Sequence, residues 1–344
     1  MSENNSQATE TNAATEQVSE HLVEVHDLKT YFHTAAGIAK AVDGVSFTLD
    51  RGKTLAIVGE SGSGKSVTSS SLMHLLPKTG KIEGGSVMFD GKDIVHATEA
   101  ELRELRGKDI SMIFQDPMTA LNPVFTVGDQ IAEMIAQHSD SGKREAMEKA
   151  KEMLRMVGID PNRASDYPHQ FSGGMKQRVV IAIALACSPS LLLADEPTTA
   201  LDVTIQAQVL EMIKELQEKF GTSMLLITHD LGVVAETCDK VAIMYAGEIV
   251  ESGTLEHIFE HTQHPYTKGL FDSLPSLDKE VRRLQPIEGL MPDPRHLPSG
   301  CKFHPRCSWA TEDCAAREPK LCEVEPGHFV QCLRVEGKEA AQHE

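Results

Sequence analysis

The run Gly59-Glu60-Ser61-Gly62-Ser63-Gly64-Lys65-Ser66 has the residue types and spacing of a phosphate-binding loop. Its glycines let successive N–H groups curl around the α- and β-phosphates of a nucleotide. Lys65 reaches the β/γ oxygens, and the Ser66 hydroxyl faces Mg2+. A second run, Leu191-Leu192-Leu193-Ala194-Asp195-Glu196, is apolar and ends in two carboxylates. Asp195, at the end of a buried strand, is placed to hold Mg2+, and Glu196 beside it can orient and deprotonate an attacking water. A third run, Phe171-Ser172-Gly173-Gly174-Met175-Lys176-Gln177-Arg178, opens a helix with small residues whose free N–H groups make an anion site. The first two runs together specify a nucleoside triphosphatase.

These groups need a strand before and a helix after the phosphate loop, and the chain supplies both. Thr54-Leu55-Ala56-Ile57-Val58 reads as a buried strand and 66–76 has helical character. Three more apolar strands are predicted at 191–194, 224–227 and 241–244, flanked by helices at 174–187, 203–220 and 230–237. Strands alternating with helices predict an α/β fold with a mostly parallel core sheet. Short alternating segments in 21–49 predict an antiparallel β subdomain, and apolar residues at helical spacing predict a helical subdomain over about 95–170, inserted between two halves of the sheet. Residues 1–20 are polar and acidic and read as a disordered tail, 337–344 as a second tail. Residues 284–332 hold seven of the 16 prolines and five of the seven cysteines, so 271–336 reads as a separate, loop-rich appendage behind a catalytic unit at 21–270.

Composition excludes other classes. The 344 residues carry 33 Lys and Arg against 51 Asp and Glu, a net charge of −18. A chain so acidic is a poor binder of nucleic acid through a basic face, although a local loop can still hold phosphate. The most apolar run, 179–187, is nine residues long, about half of the ~20 that a spanning helix needs. The N-terminus lacks the basic start and apolar centre of a signal peptide, so a cytosolic protein with reduced thiols is expected.

With these motifs in collinear order, the chain resembles the ATP-binding cassette family, whose signature is LSGGQ-like. Phe171 and Met175 stand where Leu and Gln are commonest, while the Ser172-Gly173-Gly174 core is intact. The resemblance implies a cassette ATPase fold. It implies that Gln115, in Phe114-Gln115-Asp116-Pro117, senses the γ-phosphate, joins Ser66 and Asp195 at Mg2+ and meets a membrane subunit. It also makes Asp202, in Ala200-Leu201-Asp202, the D-loop acid, and His229, in Ile227-Thr228-His229-Asp230, the switch histidine. An upstream aromatic, Phe32 or its neighbour Tyr31, would stack on adenine. Two cassettes would pack head to tail, so that Ser172 serves the partner's nucleotide.

The tail narrows the resemblance. His264-Pro265-Tyr266-Thr267 with Leu270 and Leu274-Pro275, and Gly300-Cys301-Lys302-Phe303-His304-Pro305-Arg306-Cys307, resemble the region after the cassette in oligopeptide, dipeptide and nickel importer ATPases. Partners implied are a second ATPase subunit, homologous or identical, two transmembrane permease subunits and, indirectly, an extracellular solute-binding protein. The expected place is the cytoplasmic face of the membrane. The expected cargo is di- or oligopeptide, with nickel or another small solute as the alternative. Cysteines 301, 307, 314, 322 and 332 lack CxxC spacing, which disfavours zinc. Family resemblance implies that Cys301, Cys307, Cys314 and Cys332 are ligands of a [4Fe–4S] cluster, with Cys322 extra; reduced thiols without metal are the other reading. His257, His261 and His264 read as an ordinary exposed helix end, and Cys187 and Cys238 as core.

Overall fold

The computed structural model describes residues 20–199, 201–273 and 286–336. Ala200, Leu274 and Pro275 lie outside them, as do the predicted tails apart from Glu20. Strands β1 (His21–Thr34) and β2 (Gly37–Asp50) form a long antiparallel hairpin. The fully buried β3 (Thr54–Val58) runs through the phosphate loop into α1 (Lys65–Leu72). Next, β4 (Gly80–Phe89) returns beside β1, and β5 (Lys92–Asp93) ends a four-stranded antiparallel sheet of order β2-β1-β4-β5.

Helix α2 (Glu99–Leu105) begins at a reciprocal Thr98–Glu101 capping box. Then come β6 (Ile110–Ile113), α3 (Pro117–Ala120), α4 (Val127–His138), α5 (Lys143–Met156) and α6 (Gly173–Leu185). The chain continues through β7 (Leu191–Asp195), α7 (Val203–Phe220), β8 (Ser223–Thr228), α8 (Leu231–Thr237), β9 (Lys240–Tyr245) and β10 (Glu248–Thr254). It closes with α9 (Leu255–Phe259), α10 (Pro265–Asp272), α11 (Glu312–Ala316), β11 (Leu321–Glu325) and β12 (His328–Gln331).

The central sheet has the order β11-β12-β10-β9-β3-β8-β7-β6, parallel from β9 to β6 and antiparallel beyond β9. Alternate residues of its strands enter two cores. Ala56, Val58, Leu192, Ala194 and Leu226 pack with α4 to α7, whereas Leu55, Ile57, Leu193 and Ile227 pack with Val23, Val25, Leu28 and Val45 of the antiparallel sheet. Burial on both faces is why these strands read as unbroken apolar runs. Among the described residues no helix is long and apolar enough to cross a membrane.

Residues 95–170 are mostly helical, with one strand that the spacing did not predict: β6 lies among their helices and forms the edge of the central sheet beside β7. The four residues Ile-Ser-Met-Ile are too short to announce a strand amid helical spacing. One expectation needs correction: the C-terminal segment is not separate. Its hairpin β11–β12 pairs with β10 at Glu251↔Val330 and Ser252↔Phe329, extending the central sheet by two strands.

Candidate nucleotide site

The parallel strands β3, β8, β7 and β6 are neighbours, and the residues after their C-terminal ends supply the site, as open α/β sheets favour. In the phosphate loop Gly64 adopts φ +112 and offers no side chain to the first turn of α1. Those N–H groups are therefore left for an anion. An added Cβ at Gly59 would collide with the Met244 carbonyl oxygen. Gly59→Ala is expected to lower stability by about 1–3 kcal/mol, because backbone cannot yield to the extra atom. An unshifted thermal unfolding midpoint would contradict this. Gly62, at φ +82, makes the turn, and the Ser63 hydroxyl is buried with no partner.

Lys65 is 5% exposed, and its ammonium donates to the carbonyls of Gly59 (2.8 Å) and Glu60 (3.0 Å). Burial lowers its pKa, opposed by the charges of Glu196, Asp195 and Glu60. The Ser66 hydroxyl donates to Asp195 Oδ1 at 3.0 Å. Burial raises Asp195, and the Ser66 bond and Lys65 oppose that rise. These hard oxygens, with the Gln115 amide oxygen, are a donor set suited to Mg2+.

Glu196 follows β7 at φ +46, its N–H donating to the Ile227 carbonyl of β8 at 2.8 Å. Its Oε2 accepts from Gln115 Nε2 (2.9 Å) and the Thr199 hydroxyl (2.8 Å), and Oε1 faces His229 Nδ1 at 3.4 Å. Burial pushes its carboxyl up, but Thr199, His229 and Lys65 outweigh that and hold it below its ordinary range. Glu196 is therefore an ionised carboxylate near neutral pH, as a proton acceptor must be.

Ser172 and Asp202 make their contacts elsewhere. Ser172 caps α6, its hydroxyl accepting from Met175 N at 3.4 Å, and Asp202 caps α7, accepting from Ile205 N at 3.1 Å. The two helix starts adjoin: a Cβ on Gly174 would press on Ile205, whereas at Gly173 it would meet open space. Buried Gln177 of α6 ties this layer to the strand ends through the Pro197 carbonyl at 2.6 Å.

Tyr31 and Phe32 differ in their commitments. The Tyr31 hydroxyl donates to Asp43 Oδ1 at 2.5 Å, and Lys40 lies over its ring at 5.4 Å. Phe32 is half-buried beside Gly80.

Cys301, Cys307, Cys314 and Cys332 line one cavity of about 20 Å³, whereas Cys322 Sγ bonds the Lys320 carbonyl. Burial pushes Cys301 up to about 11, and charge on Cys332, Cys314 and Cys307 acts the same way. Among the described residues no three His, Cys, Asp or Glu side chains form a group that could hold a metal ion. Cys238 is buried and Cys187 half-buried. Of the three histidines only His261 sits exposed past a helix end; His264 is 1% exposed and caps α10, accepting from Tyr266 N, with its pKa lowered to about 4 by burial. His257 stacks on His328 with ring centroids 4.9 Å apart, and His261 bonds Glu325 at 3.1 Å.

Sequence reasoning gave no role to Thr199, Tyr266 or Arg306. The Glu60 N–H donates to the Tyr266 hydroxyl at 2.9 Å, and Arg306 pairs with the Glu60 carboxylate at 2.7 Å. Thr199 was open to discovery, since it lies between Glu196 and Asp202; the other two come from over 200 residues away.

Residues 42–199 match the family model of the ABC transporter, and 250–314 match that of the oligopeptide/dipeptide transporter C-terminal region. The oligopeptide transport ATP-binding protein AppD of Bacillus subtilis (strain 168) is 51% identical over 93% of this chain and 99% of its own. The dipeptide transport ATP-binding protein DppD of the same organism is 52% identical over 91% of this chain and 94% of its own. Among solved structures, the dimeric post-hydrolysis state of the ATP-binding cassette MJ0796 bound to ADP and Pi is 28% identical. It aligns with TM-score 0.62 over 68% of this chain and 98% of that one.

Proposed function

The chain belongs to the ABC transporter family as a peptide-transport ATP-binding subunit, and on that basis we propose how its residues divide the work of ATP hydrolysis. It binds ATP with Mg2+ and hydrolyses it to power import of di- and oligopeptides. The observation that carries the residue assignment is the convergence of Gln115, Thr199 and His229 on the ionised Glu196. Lys65 and the N–H groups of residues 59–66 bind the phosphates. Ser66, Asp195 and Gln115 hold Mg2+, which when bound offsets phosphate charge. Glu196 takes a proton from water as its oxygen attacks the γ-phosphorus, the bond to the β-phosphate oxygen breaks, and ADP and phosphate leave. His229, Gln115 and Thr199 aim the carboxylate. Phe32 takes the adenine, since Tyr31 is already engaged by Asp43 and Lys40.

The exposed start of α6, with Ser172, Gly173 and Gly174, serves the nucleotide of a second cassette facing it, and Asp202 caps the helix beside that interface. Such cassettes work as dimers on membrane permease subunits; here the pair docks at the cytoplasmic face, with an extracellular solute-binding protein delivering cargo. Residues 21–270 form the catalytic unit and 271–336 its peptide-importer appendage. Peptide-loaded binding protein is expected to stimulate ATP hydrolysis by the assembled complex. Stimulation by nickel-loaded binding protein instead would overturn the peptide assignment.

For a [4Fe–4S] cluster the ligands would be Cys301, Cys307, Cys314 and Cys332, which line one cavity while Cys322 does not; in this arrangement their side chains are not gathered into a metal-holding group, so binding would have to draw them together. When bound, it would supply a local redox centre and a covalent clasp between α11 and the end of β12. Anaerobically purified protein is expected to contain iron and sulfide; Cys314→Ser should lose both, and Cys322→Ser neither. An iron-free wild type that hydrolyses ATP normally would contradict the cluster.

A further inference from the structure

A carboxylate inside an anion-binding loop is a physical anomaly. Glu60 is the second residue of the loop, and an unpaired charge there repels phosphate. The fold removes that charge from a distance in sequence. Arg306 forms a two-pronged pair with it, Nη1 to Oε2 at 2.7 Å and Nη2 to Oε1 at 3.0 Å. The Arg306 side chain is 4% exposed and that of Glu60 33%, so the guanidinium is shielded from water while the carboxylate keeps partial contact with it. Arg306 is itself fixed, donating from Nε to the Glu288 carbonyl at 2.9 Å and lying 5.8 Å from the Tyr245 ring.

The backbone of Glu60 is held by the same region. Its N–H meets the Tyr266 hydroxyl, and Tyr266 packs edge-on against Tyr245 at 4.7 Å and Phe303 at 5.4 Å. The Glu60 carbonyl accepts from Lys65, so a shift of Glu60 moves the lysine that reaches for phosphate. The contacts run unbroken from Arg306 through Glu60 to Lys65.

We infer that Arg306 is a positioning residue for nucleotide binding: it neutralises Glu60 and turns its carboxylate out of the phosphate loop, so that the C-terminal appendage sets the affinity for ATP. This rests on residues 59–66 being the nucleotide site. It also gives the two-pronged geometry a purpose that a lysine's single charged nitrogen would serve only in part.

The test is ATP affinity of the full chain with a fluorescent ATP analogue, and KM and kcat in the assembled transporter. Arg306→Gln should weaken binding and raise KM about tenfold, with kcat within about twofold, as expected when one partner of a partly shielded charge pair is removed. Arg306→Lys should fall between. Glu60→Gln combined with Arg306→Gln should regain most of the lost affinity, because the repelling carboxylate is gone; a merely structural Arg306 would not be rescued this way. Unchanged affinity in Arg306→Gln, or a double variant no better than the single, overturns the inference. Lys65→Ala separates the two readings. If it leaves ATP affinity intact, the nucleotide site itself is misassigned; if it abolishes binding while Arg306→Gln has no effect, only the role of Arg306 falls.

Discussion

Glu196→Gln is expected to slow ATP turnover by on the order of 10²- to 10⁴-fold, the usual contribution of a positioned general base. ATP affinity should stay within about twofold, since the lost group acts on water in the transition state rather than on bound nucleotide. The replacement keeps the side chain's shape but cannot accept a proton near neutral pH. It also disturbs a carboxylate bonded by Gln115 and Thr199 and faced by His229. Because Thr199, His229 and Lys65 outweigh burial and hold the Glu196 carboxyl below its ordinary range, the wild-type base stays ionised as pH falls through mild acid, and base-dependent turnover fades only as pH approaches that lowered value. Single-turnover hydrolysis together with equilibrium binding of ATP separates the two effects. Wild-type turnover in the variant would remove Glu196 from the chemistry.

Glu251→Ala is expected to destabilise the fold by about 3 kcal/mol or more, because it removes one buried acceptor shared by three hydrogen bonds and leaving a buried donor unsatisfied costs about 1–3 kcal/mol. Glu251 and His328 are both fully buried, and His328 Nε2 lies 2.9 Å from Glu251 Oε1. The same carboxylate accepts the backbone N–H groups of Gln263 at 2.7 Å and His264 at 3.1 Å. One side chain of β10 thus fastens β12 and the segment leading into α10. Its removal leaves two N–H groups and an imidazole without their acceptor in a dry place. Denaturant unfolding of the variant should show a lowered midpoint with the largest loss of amide protection in β12 and the start of α10. A midpoint equal to that of the wild type would show that this pair does not hold the hairpin in place.

The phosphate loop, the acids after β7 and the histidine after β8 were legible because each is contiguous and tied to a strand end. A motif of six to eight residues carries its own geometry when the flanking strand and helix are strong. The strand β6 was not legible, since four residues give no periodicity of their own and β6 owes its place to pairing with β7. The appendage misled for the opposite reason. Its prolines and cysteines read as loop, and nothing local in His328-Phe329-Val330-Gln331 announces that its partner is β10, nearly 80 residues earlier. His264 looked exposed because the Glu251 carboxylate and the Phe303 ring that enclose it come from other parts of the chain. The Arg306–Glu60 pair spans 246 residues, and spacing within a motif holds no information about such a contact.

If ATP hydrolysis at Glu196 drives peptide import, uptake into vesicles must depend on that side chain. Labelled oligopeptide, its binding protein and ATP would be supplied to vesicles carrying the assembled transporter, with wild-type chain or Glu196→Gln. Peptide is expected to accumulate in an ATP-dependent way with the wild type and not with the variant, and nickel with neither. Equal peptide uptake by both, or accumulation of nickel in place of peptide, would contradict peptide import driven by hydrolysis at Glu196.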